Sequence, residues 1–217
     1  LDIEIRAKLL PTSRPSSTIQ LPTIQSDTWV EMPIESQFGS SGVVLRGIKA
    51  ECTRVDTSDN PSSVVCLGQH DLKPAISLTQ LPRDITLDRC VIRGNSSRTM
   101  HGLIGNVINL RLSYCLIDGI VHGNAESHGV YIDDTPGPVV IEHSKIIASG
   151  INVLVGGGSP WIPNQRVMSD GFVFRWNECT KLHEWSKDRG NVGVKNLFEL
   201  KNCHYANIYG NMFTNCW

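Results

Sequence analysis

Apolar residues recur at every second position in five segments after residue 84, and all five segments share one order of apolar and polar positions. Each reads apolar, variable, apolar, two polar or variable residues, a small polar residue, variable, apolar. The segments are 85–92, 110–117, 139–146, 172–179 and 206–213. Because the side chains of a strand alternate between its two faces, this spacing predicts strands with one buried face.

The small polar position recurs at coil-sized intervals that lengthen toward the C-terminus. It is occupied by Cys90, Cys115, Ser144, Asn177 and Asn211, and successive members are 25, 29, 33 and 34 residues apart. Intervals of this size are typical of the coils of a solenoid. At a tight bend, a short side chain can point inward and pair with the coil above or below, whereas a lone buried polar group is costly. The spacing therefore predicts that these five residues lie on top of one another.

A further strand is predicted before each repeat unit, at 101–104, 129–133, 150–155 and 194–200, and turn-forming Gly and Pro residues lie between the units. The repeated order of strand, bend, strand and loop predicts an all-β fold, a single-stranded right-handed parallel β-helix (solenoid). A β-sandwich is the alternative, but sandwiches do not have an in-phase column of one residue type.

The two ends of the chain are predicted to differ from the repeats. Residues 1–38 carry little periodicity and four prolines, which predicts an irregular N-terminal lead-in or cap, with the β-helix coils occupying 39–217. The chain stops just after a full repeat unit, and an uncovered coil would expose strand edges and apolar core. We therefore expect an apparently truncated C-terminal end, covered by a missing C-terminal segment or by another chain in a homo-oligomer.

Composition narrows the class of protein. Hydrophobic residues make up 40% and charged residues 19% of the chain, and the formal net charge of -1 with no basic block argues against nucleic-acid binding. No apolar run approaches the roughly 18 residues that span a bilayer, so no membrane partner is expected. The seven cysteines contain no CxxC pair, which argues against a zinc ribbon and predicts mostly buried free thiols.

The repeats resemble those of right-handed parallel β-helix, or pectin-lyase-like, proteins of bacteria and phages. The resemblance covers roughly residues 40–217 and is carried by residues 86–92, 136–138, 150–157 with Pro160 and Pro163, 194–202 and 208–217. It implies the fold, a carbohydrate context and an extracellular, cell-surface or virion-associated location. The chain departs from that pattern at Ile132-Asp133-Asp134, where the family carries Gly-Trp-Asn.

Two functions follow from the resemblance together with the candidate residues. The first is a glycan-binding or structural β-helix of a surface or phage tail protein. The alternative is a polysaccharide lyase or hydrolase of the pectin-lyase-like type. No GxSxG or HExxH motif occurs, and no pair of acids stands out as a hydrolase pair. Both functions take a polysaccharide or glycan as the partner.

A lyase would use the outward face of the strands before the repeat units. Strand alternation predicts that Tyr131 and the acid Asp133 point outward there, and Asn152 of the next such strand is expected on the same face. In the segment that begins at residue 194, the residues predicted to point outward are Lys195, Glu199 and Lys201. Asp133 and Asp134 are the candidate metal ligands, with Ca²⁺ as the cofactor, and Lys201 or Lys195 is the candidate base beside Glu199. Simple solvation and cross-strand ion pairing of these charges is the competing interpretation.

Aromatic residues beside polar groups suggest where a sugar would bind. Trp176 and Trp185, with Arg189, are predicted in one long loop, and Trp161 lies in another. Indole rings stack on the apolar faces of sugars, although the same rings could cover the hydrophobic edge of the stack. His101 and His128 both precede a glycine one coil apart, which predicts that they stack.

Overall fold

The computed structural model describes residues 3–6, 23–26, 33–53, 62–70, 73–95, 98–123, 125–133, 135–157, 162, 169–186 and 192–216. Its strands form three parallel sheets of seven, seven and six strands. Each of the first six turns contributes one strand to each sheet, and the last described turn contributes strands to the first and second sheets. The fold is therefore a parallel β-helix, as the repeats predict. Within the described residues, no helix is long and apolar enough to cross a membrane.

Seven coils can be followed through these residues. In chain order the strands are β1 (Ile3–Arg6), β2 (Thr23–Ser26), β3 (Ile34–Glu35), β4 (Ser41–Arg46), β5 (Lys49–Cys52), β6 (Ser62–Leu67), β7 (Gln69–His70), β8 (Lys73–Pro74), β9 (Arg83–Asp88), β10 (Val91–Arg93), β11 (Thr99–Gly105), β12 (Ile108–Ser113), β13 (Leu116–Ile120), β14 (His128–Ile132), β15 (Val139–Glu142), β16 (Lys145–Ala148), β17 (Ile151–Val155), β18 (Ser169–Asp170), β19 (Phe172–Arg175), β20 (Glu178–Thr180), β21 (Phe198–Leu200), β22 (Cys203–His204), β23 (Asn207–Tyr209) and β24 (Met212–Thr214). A single-turn 3₁₀ helix occupies His183–Trp185.

Strands of the same type from successive coils lie side by side. The first sheet has the order β1-β4-β9-β12-β15-β19-β23, and the second sheet has the order β2-β5-β10-β13-β16-β20-β24. The third sheet has the order β21-β17-β14-β11-β6-β3. The strands β1, β2 and β3 lie in the predicted lead-in, and each pairs in parallel with its counterpart in the next coil. They form a first coil that the weak periodicity of this region did not predict.

The core is a set of apolar columns that run along the stack. In the first sheet, Leu87, Leu112, Ile141 and Phe174 are paired in register from coil to coil, and all four are buried. Burial of one such side chain stabilises the fold by about 2 kcal/mol. Outward side chains alternate with these columns, so the sequence positions between the core residues form the outer face of the sheet.

The bend between the first and second sheets carries the small polar column. Oδ1 of Asn177 accepts the Ser144 N–H at 2.9 Å, and its Nδ2 donates to the Ile141 carbonyl at 2.9 Å. In the same way, Oδ1 of Asn211 accepts the Asn177 N–H at 2.9 Å, and Ser144 Oγ accepts the Cys115 N–H at 3.0 Å. The prediction that these side chains form one file is confirmed, and each satisfies a backbone group of the neighbouring coil.

A second polar cluster fills the corner between the second and third sheets. Asn152 is fully buried there, and its Nδ2 donates to the carbonyls of Ile146 at 2.7 Å and Thr180 at 2.8 Å. The buried ammonium of Lys181 donates to Asn152 Oδ1 at 3.0 Å. The prediction that Asn152 lies on the outer face is therefore wrong, because the chain turns at this corner and directs the amide into the interior.

The cysteines behave as small apolar groups. Cys52, Cys66, Cys90, Cys115 and Cys179 are buried free thiols, Cys203 is half-buried and Cys216 is exposed. Burial raises the pKa of the Cys179 thiol to about 12, which keeps it protonated and unreactive at neutral pH. The prediction of mostly buried free thiols is confirmed.

Candidate functional sites

A file of large side chains runs along the outside of the bend between the first and second sheets. Its members are Arg89, Tyr114, His143 and Trp176, and each directly precedes a residue of the small polar column. All four have a positive φ, between 50° and 55°. Bulky residues rarely adopt this conformation, and each instance costs about 1–3 kcal/mol. We call these four residues the corner file.

The side chains of the corner file stack on one another along the axis of the solenoid. The guanidinium of Arg89 lies 5.2 Å from the centroid of the Tyr114 ring. The Tyr114 and His143 rings are 4.6 Å apart at an interplanar angle of 2°, and the His143 and Trp176 rings are 4.8 Å apart at 27°. Stacking of this kind offsets part of the backbone strain. It also holds the polar edges of the rings in a row at the surface.

Trp176 ends the file and is 45% exposed. The guanidinium of Arg175 lies 4.8 Å from its ring centroid, and the Tyr209 ring packs against it edge-on at 5.4 Å. Gly210 occupies the position equivalent to Trp176 in the next coil, and a Cβ atom there would lie only 2.4 Å from Trp176 Cδ1. The glycine therefore leaves room for the indole to lie flat across the last bend.

Two groups of ion pairs lie beside the corner file on the outer face of the first sheet. In the first group, Asp88 forms an ion pair with Arg46, whose Nε lies 2.9 Å from the carboxylate, and accepts a hydrogen bond from a terminal nitrogen of Arg89 at 2.5 Å. Asp88 and Arg46 face each other in the register of β4 and β9. One carboxylate thus holds two guanidinium groups that come from consecutive coils.

The second group repeats this arrangement two coils further on. Glu142 pairs with Arg111 of the preceding coil and with Arg175 of the following coil, the latter at 2.5 and 2.8 Å. Ser113 Oγ also donates to Glu142 at 3.1 Å. Burial favours the neutral acid, but the hydrogen bonds from Arg175 and Ser113 and the two positive charges outweigh it, so the pKa of Glu142 lies below its ordinary value.

A shallow groove of about 330 Å³ separates the two groups. It is lined by Arg46, Thr86, Asp88, Arg89, Arg111, Ser113, Tyr114 and Glu142. We call it the arginine groove. Its floor is strand surface, and its wall is the end of the corner file formed by Arg89 and Tyr114. Hydroxyl groups, an aromatic edge and guanidinium donors therefore converge on one open depression, which is the usual composition of a polar ligand site.

A separate cluster occupies the outer face of the third sheet. His101 and His128 are paired in register, their rings are 5.1 Å apart, and their Nδ1 atoms are 3.2 Å apart. The prediction that they stack is confirmed. Tyr131 stacks on His128 at 5.1 Å, and His128 Nε2 lies 3.1 Å from a carboxylate oxygen of Glu126. Since a carboxylate only accepts, Nε2 of His128 carries a hydrogen, and a neutral His128 accepts at Nδ1 from His101.

The electrostatics of this cluster favour neutral imidazoles. Burial, and then the proximity of His128, lowers the pKa of His101 to about 3. Burial also lowers the pKa of His128, although Glu126 opposes this. Glu126 is in turn paired with Lys195, and hydrogen bonds from Lys195 and His128 outweigh burial and lower its pKa. The cluster is a chain of carboxylate, imidazole and imidazole with a lysine at one end.

The candidate catalytic lysines lie near this chain but are paired with acids. Lys195 pairs with Glu126, and Lys201 lies 3.4 Å from the carboxylate of Glu199. Both lysines contribute to the electrostatic environment of His128. The structure thus brings Tyr131, Lys195 and Lys201 to one face together with two histidines and Glu126, an acid that the sequence analysis did not select.

The remaining predicted residues are dispersed. Trp185 is buried, with 6% of its surface exposed, so its predicted availability to a sugar is wrong. Asp133 is also buried, and no group of three or more potential metal ligands occurs among the described residues. Trp161, Arg189 and Asp134 lie outside the described residues. Lys181, which lies between Trp176 and Trp185 in the chain, is buried in the corner beside Asn152.

Sequence reasoning missed the arginine groove and most of the corner file. The signal was present, since each file member stands one residue before the small polar column. A run of Arg, Tyr, His and Trp at one repeat position, with Gly47 and Gly210 at its ends, marks an outward bend position in all the coils from the second to the last.

Comparison of the chain with protein-family models, with curated proteins and with solved structures finds no match. The resemblance to pectin-lyase-like proteins therefore remains a prediction, and the argument for function depends on the geometry of the two sites.

Proposed function

We propose that the protein is a glycan-binding β-helix, and that an extended glycan lies along the first sheet in contact with the corner file and the arginine groove. Trp176 is the observation that carries this proposal. It is a large exposed indole, held by Arg175, Tyr209 and Gly210 at the end of a row of polar ring edges. Exposed, rigidly held aromatic rings beside hydrogen-bonding groups suit a sugar, which has apolar faces and hydroxyl edges.

The repeat of the solenoid supports a polymer as the ligand. Neighbouring strands of a sheet are about 4.8 Å apart, so equivalent side chains recur along the axis at that interval. An extended chain of sugars presents its hydroxyl groups at a comparable repeat. The corner file and the two groups of ion pairs together span the second to the sixth coil, which provides several successive contacts for one ligand.

The same proposal accounts for the strained backbone of the corner file. Asparagine or glycine would fit a positive φ at lower cost than tyrosine or tryptophan. The presence of bulky side chains at four consecutive bends is explained if their outward edges contact a ligand. A surface or phage tail protein is the biological setting that we propose, in an extracellular or virion-associated location. A further segment or second chain covering the last coil, where Ile208, Met212 and Phe213 are exposed, also stays a prediction.

A glycan microarray followed by calorimetry tests the proposal. We expect the protein to bind a subset of polysaccharides and the Trp176→Ala variant to lose at least about tenfold in affinity, since one stacked aromatic contact is worth about 1.5 kcal/mol. Tyr205→Ala is the matched control, because Tyr205 is also an exposed aromatic with a positive φ but lies at the opposite end of the first-sheet strands. Absence of binding to every glycan would refute the proposal, and an equal loss in both variants would refute the location.

The second candidate function is a polysaccharide lyase or hydrolase acting at the third sheet. The chain of Glu126, His128 and His101 favours it, because a neutral imidazole oriented by a second imidazole and a carboxylate can accept a proton. Tyr131 supplies a hydroxyl beside both rings. An absorbance assay for unsaturated sugars and a reducing-sugar assay, each on a panel of polysaccharides, test the two reactions. Activity that His101→Asn abolishes and His204→Asn retains would establish this candidate.

A further inference from the structure

We infer that the arginine groove recognises an anionic substituent of the glycan, a carboxylate or a sulfate ester, with Arg89 and Arg111 as the residues that determine this specificity. The inference rests on the proposed glycan-binding function and adds the chemical class of the ligand. Three observations support it: the net charge around the groove, the different exposures of its acids and arginines, and the hydrogen-bond donors that the arginines keep.

The balance of charge around the groove is positive. The lining of the groove contains three guanidinium groups, those of Arg46, Arg89 and Arg111, and two carboxylates, those of Asp88 and Glu142. In the second group of ion pairs, Arg111 and Arg175 share the single carboxylate of Glu142. The described lining of the groove therefore carries more positive than negative charge, although the chain as a whole carries a formal net charge of -1.

The acids are more deeply buried than the arginines, so the excess positive charge lies toward the solvent. The Glu142 side chain is 4% exposed, whereas the Arg111 side chain that pairs with it is 50% exposed. Asp88 is likewise more deeply placed than Arg46. The carboxylates lie beneath the guanidinium groups and fix their positions. A ligand that enters the groove meets guanidinium donors first, and the acids are shielded from it.

The hydrogen bonding leaves donors available. A guanidinium has five N–H donors in a planar fork, and a single carboxylate edge uses two of them at most. Arg89 donates from one terminal nitrogen to Asp88, and its other terminal nitrogen donates to none of the described residues. Arg111 donates from Nε to Ser113 and from one terminal nitrogen to Glu142. An anion between them can accept from both arginines without displacing either carboxylate.

The surrounding groups suit an anion carried by a sugar. Tyr114 and Thr86 place hydroxyls at the groove, whereas the Ser113 hydroxyl already bonds to Glu142 and Arg111. Hydroxyl groups both donate and accept, so they match the hydroxyls next to a sugar carboxylate or sulfate. Because the carboxylates already hold the guanidinium groups in place, little side-chain entropy is lost when the anion binds.

Matched polysaccharides test the inference. Dextran, carboxymethyl dextran and dextran sulfate share one backbone and differ in the anionic group, and acidic and neutral members of the microarray extend the set. We expect acidic ligands to bind at least tenfold more tightly than their neutral counterparts, with an affinity that falls as salt is raised. Preference for the carboxymethyl or the sulfated form distinguishes the two anion types.

Variants of the full chain locate the site. Arg89→Gln combined with Arg111→Gln is expected to reduce affinity for the acidic ligands at least tenfold more than it reduces affinity for their neutral counterparts. Arg83→Gln, a change at an exposed residue at the far end of β9, is the matched control. Arg111→Lys keeps the charge but removes the fork, and we expect it to restore only part of the affinity. Thermal unfolding of each variant verifies that the fold is retained.

The outcomes separate the two claims. Equal binding of acidic and neutral glycans, or binding of acidic glycans that the double variant does not weaken, would overturn the inference and leave the glycan-binding proposal standing. Absence of binding to any polysaccharide would overturn both. A tenfold preference for acidic ligands that depends on Arg89 and Arg111 supports both.

Discussion

Asn177 lies beside Ser144 in the adjacent coil, and its side-chain oxygen accepts the Ser144 backbone N–H at 2.9 Å. The same amide donates to the Ile141 carbonyl, so one buried side chain satisfies two backbone groups of the preceding coil. We expect Asn177→Ala to lower the free energy of unfolding by about 2–4 kcal/mol, because both groups lose their partner in an environment that excludes water. Chemical denaturation measures this change.

Asn177→Ser is the matched control for that prediction. Ser144 itself shows that a hydroxyl at this position can accept an N–H from the neighbouring coil, since its Oγ accepts from Cys115 at 3.0 Å. We expect the serine variant to lose less than half as much stability as the alanine variant. Equal losses would mean that the side-chain volume, and not the hydrogen bond, is what the coil requires.

Lys181 gives a second prediction about stability. Its ammonium is 1% exposed and donates to the carbonyls of Ala148, Ser149 and Gly150 as well as to Asn152 Oδ1. Burial lowers its pKa to about 8, so it is still mainly charged at pH 7. Lys181→Met is expected to destabilise the fold by about 2 kcal/mol, because buried oxygen acceptors lose a charged donor.

The control for Lys181 is an exposed lysine. Lys195 forms an ion pair with Glu126 but its side chain is 57% exposed. Lys195→Met is expected to shift the denaturation midpoint much less than Lys181→Met does, because solvent screens an exposed ion pair. Similar effects of the two substitutions on the denaturation midpoint would show that the buried ammonium does not hold the corner together.

The histidine pair predicts how stability changes with pH. The pKa of His101 is about 3 in the folded protein, below its ordinary value of 6.5, so the unfolded chain binds more protons between these limits. The stabilisation is complete above pH 6.5 and declines as pH falls toward 3, at about 1.4 kcal/mol per pH unit for this one group. Denaturation at about pH 5.5–7 measures the onset of this slope above the range in which most carboxylates titrate.

His101→Gln should flatten this slope, whereas His204→Gln, a change at an exposed histidine, should preserve it. An imidazole titration followed by NMR provides an independent readout on the unmodified protein. A His101 resonance that titrates near pH 6.5 would contradict the prediction, because it would mean that the folded protein does not favour the neutral ring.

A side chain at position 210 is expected to displace the Trp176 indole and so to weaken glycan binding. The φ of Gly210 is 65°, and a Cβ atom there would lie 2.4 Å from Trp176 Cδ1. Gly210→Ala is expected to destabilise the fold by about 1–2 kcal/mol and to displace the indole, with a loss of glycan affinity as large as that of Trp176→Ala. Gly47 occupies the same repeat position in the second coil, with a φ of 63°. Gly47→Ala should leave glycan affinity unchanged. Unchanged affinity in the Gly210 variant would separate the indole position from the binding site.

The sequence predicted the interior of the solenoid better than its surface. The column from Cys90 to Asn211 could be read from the chain, because an inward bend position accepts only short side chains that can pair between coils. The pairing of His101 with His128 followed from the same register. Asn152 was misplaced because simple strand alternation fails where the chain turns a corner, and Trp185 was misplaced because the length of a loop does not reveal how it packs.

What the sequence determined by itself is the periodicity: which residues face inward, how long each coil is, and that the chain stacks as a parallel β-helix. These features recur at every coil, so local pattern is enough to specify them. Only the tertiary structure decided which outward residues meet. Arg46 and Asp88, or Arg111, Glu142 and Arg175, are far apart in the chain and come together through the register between coils. That register depends on the insertions in the loops, so the arginine groove could not be located until the coils were stacked.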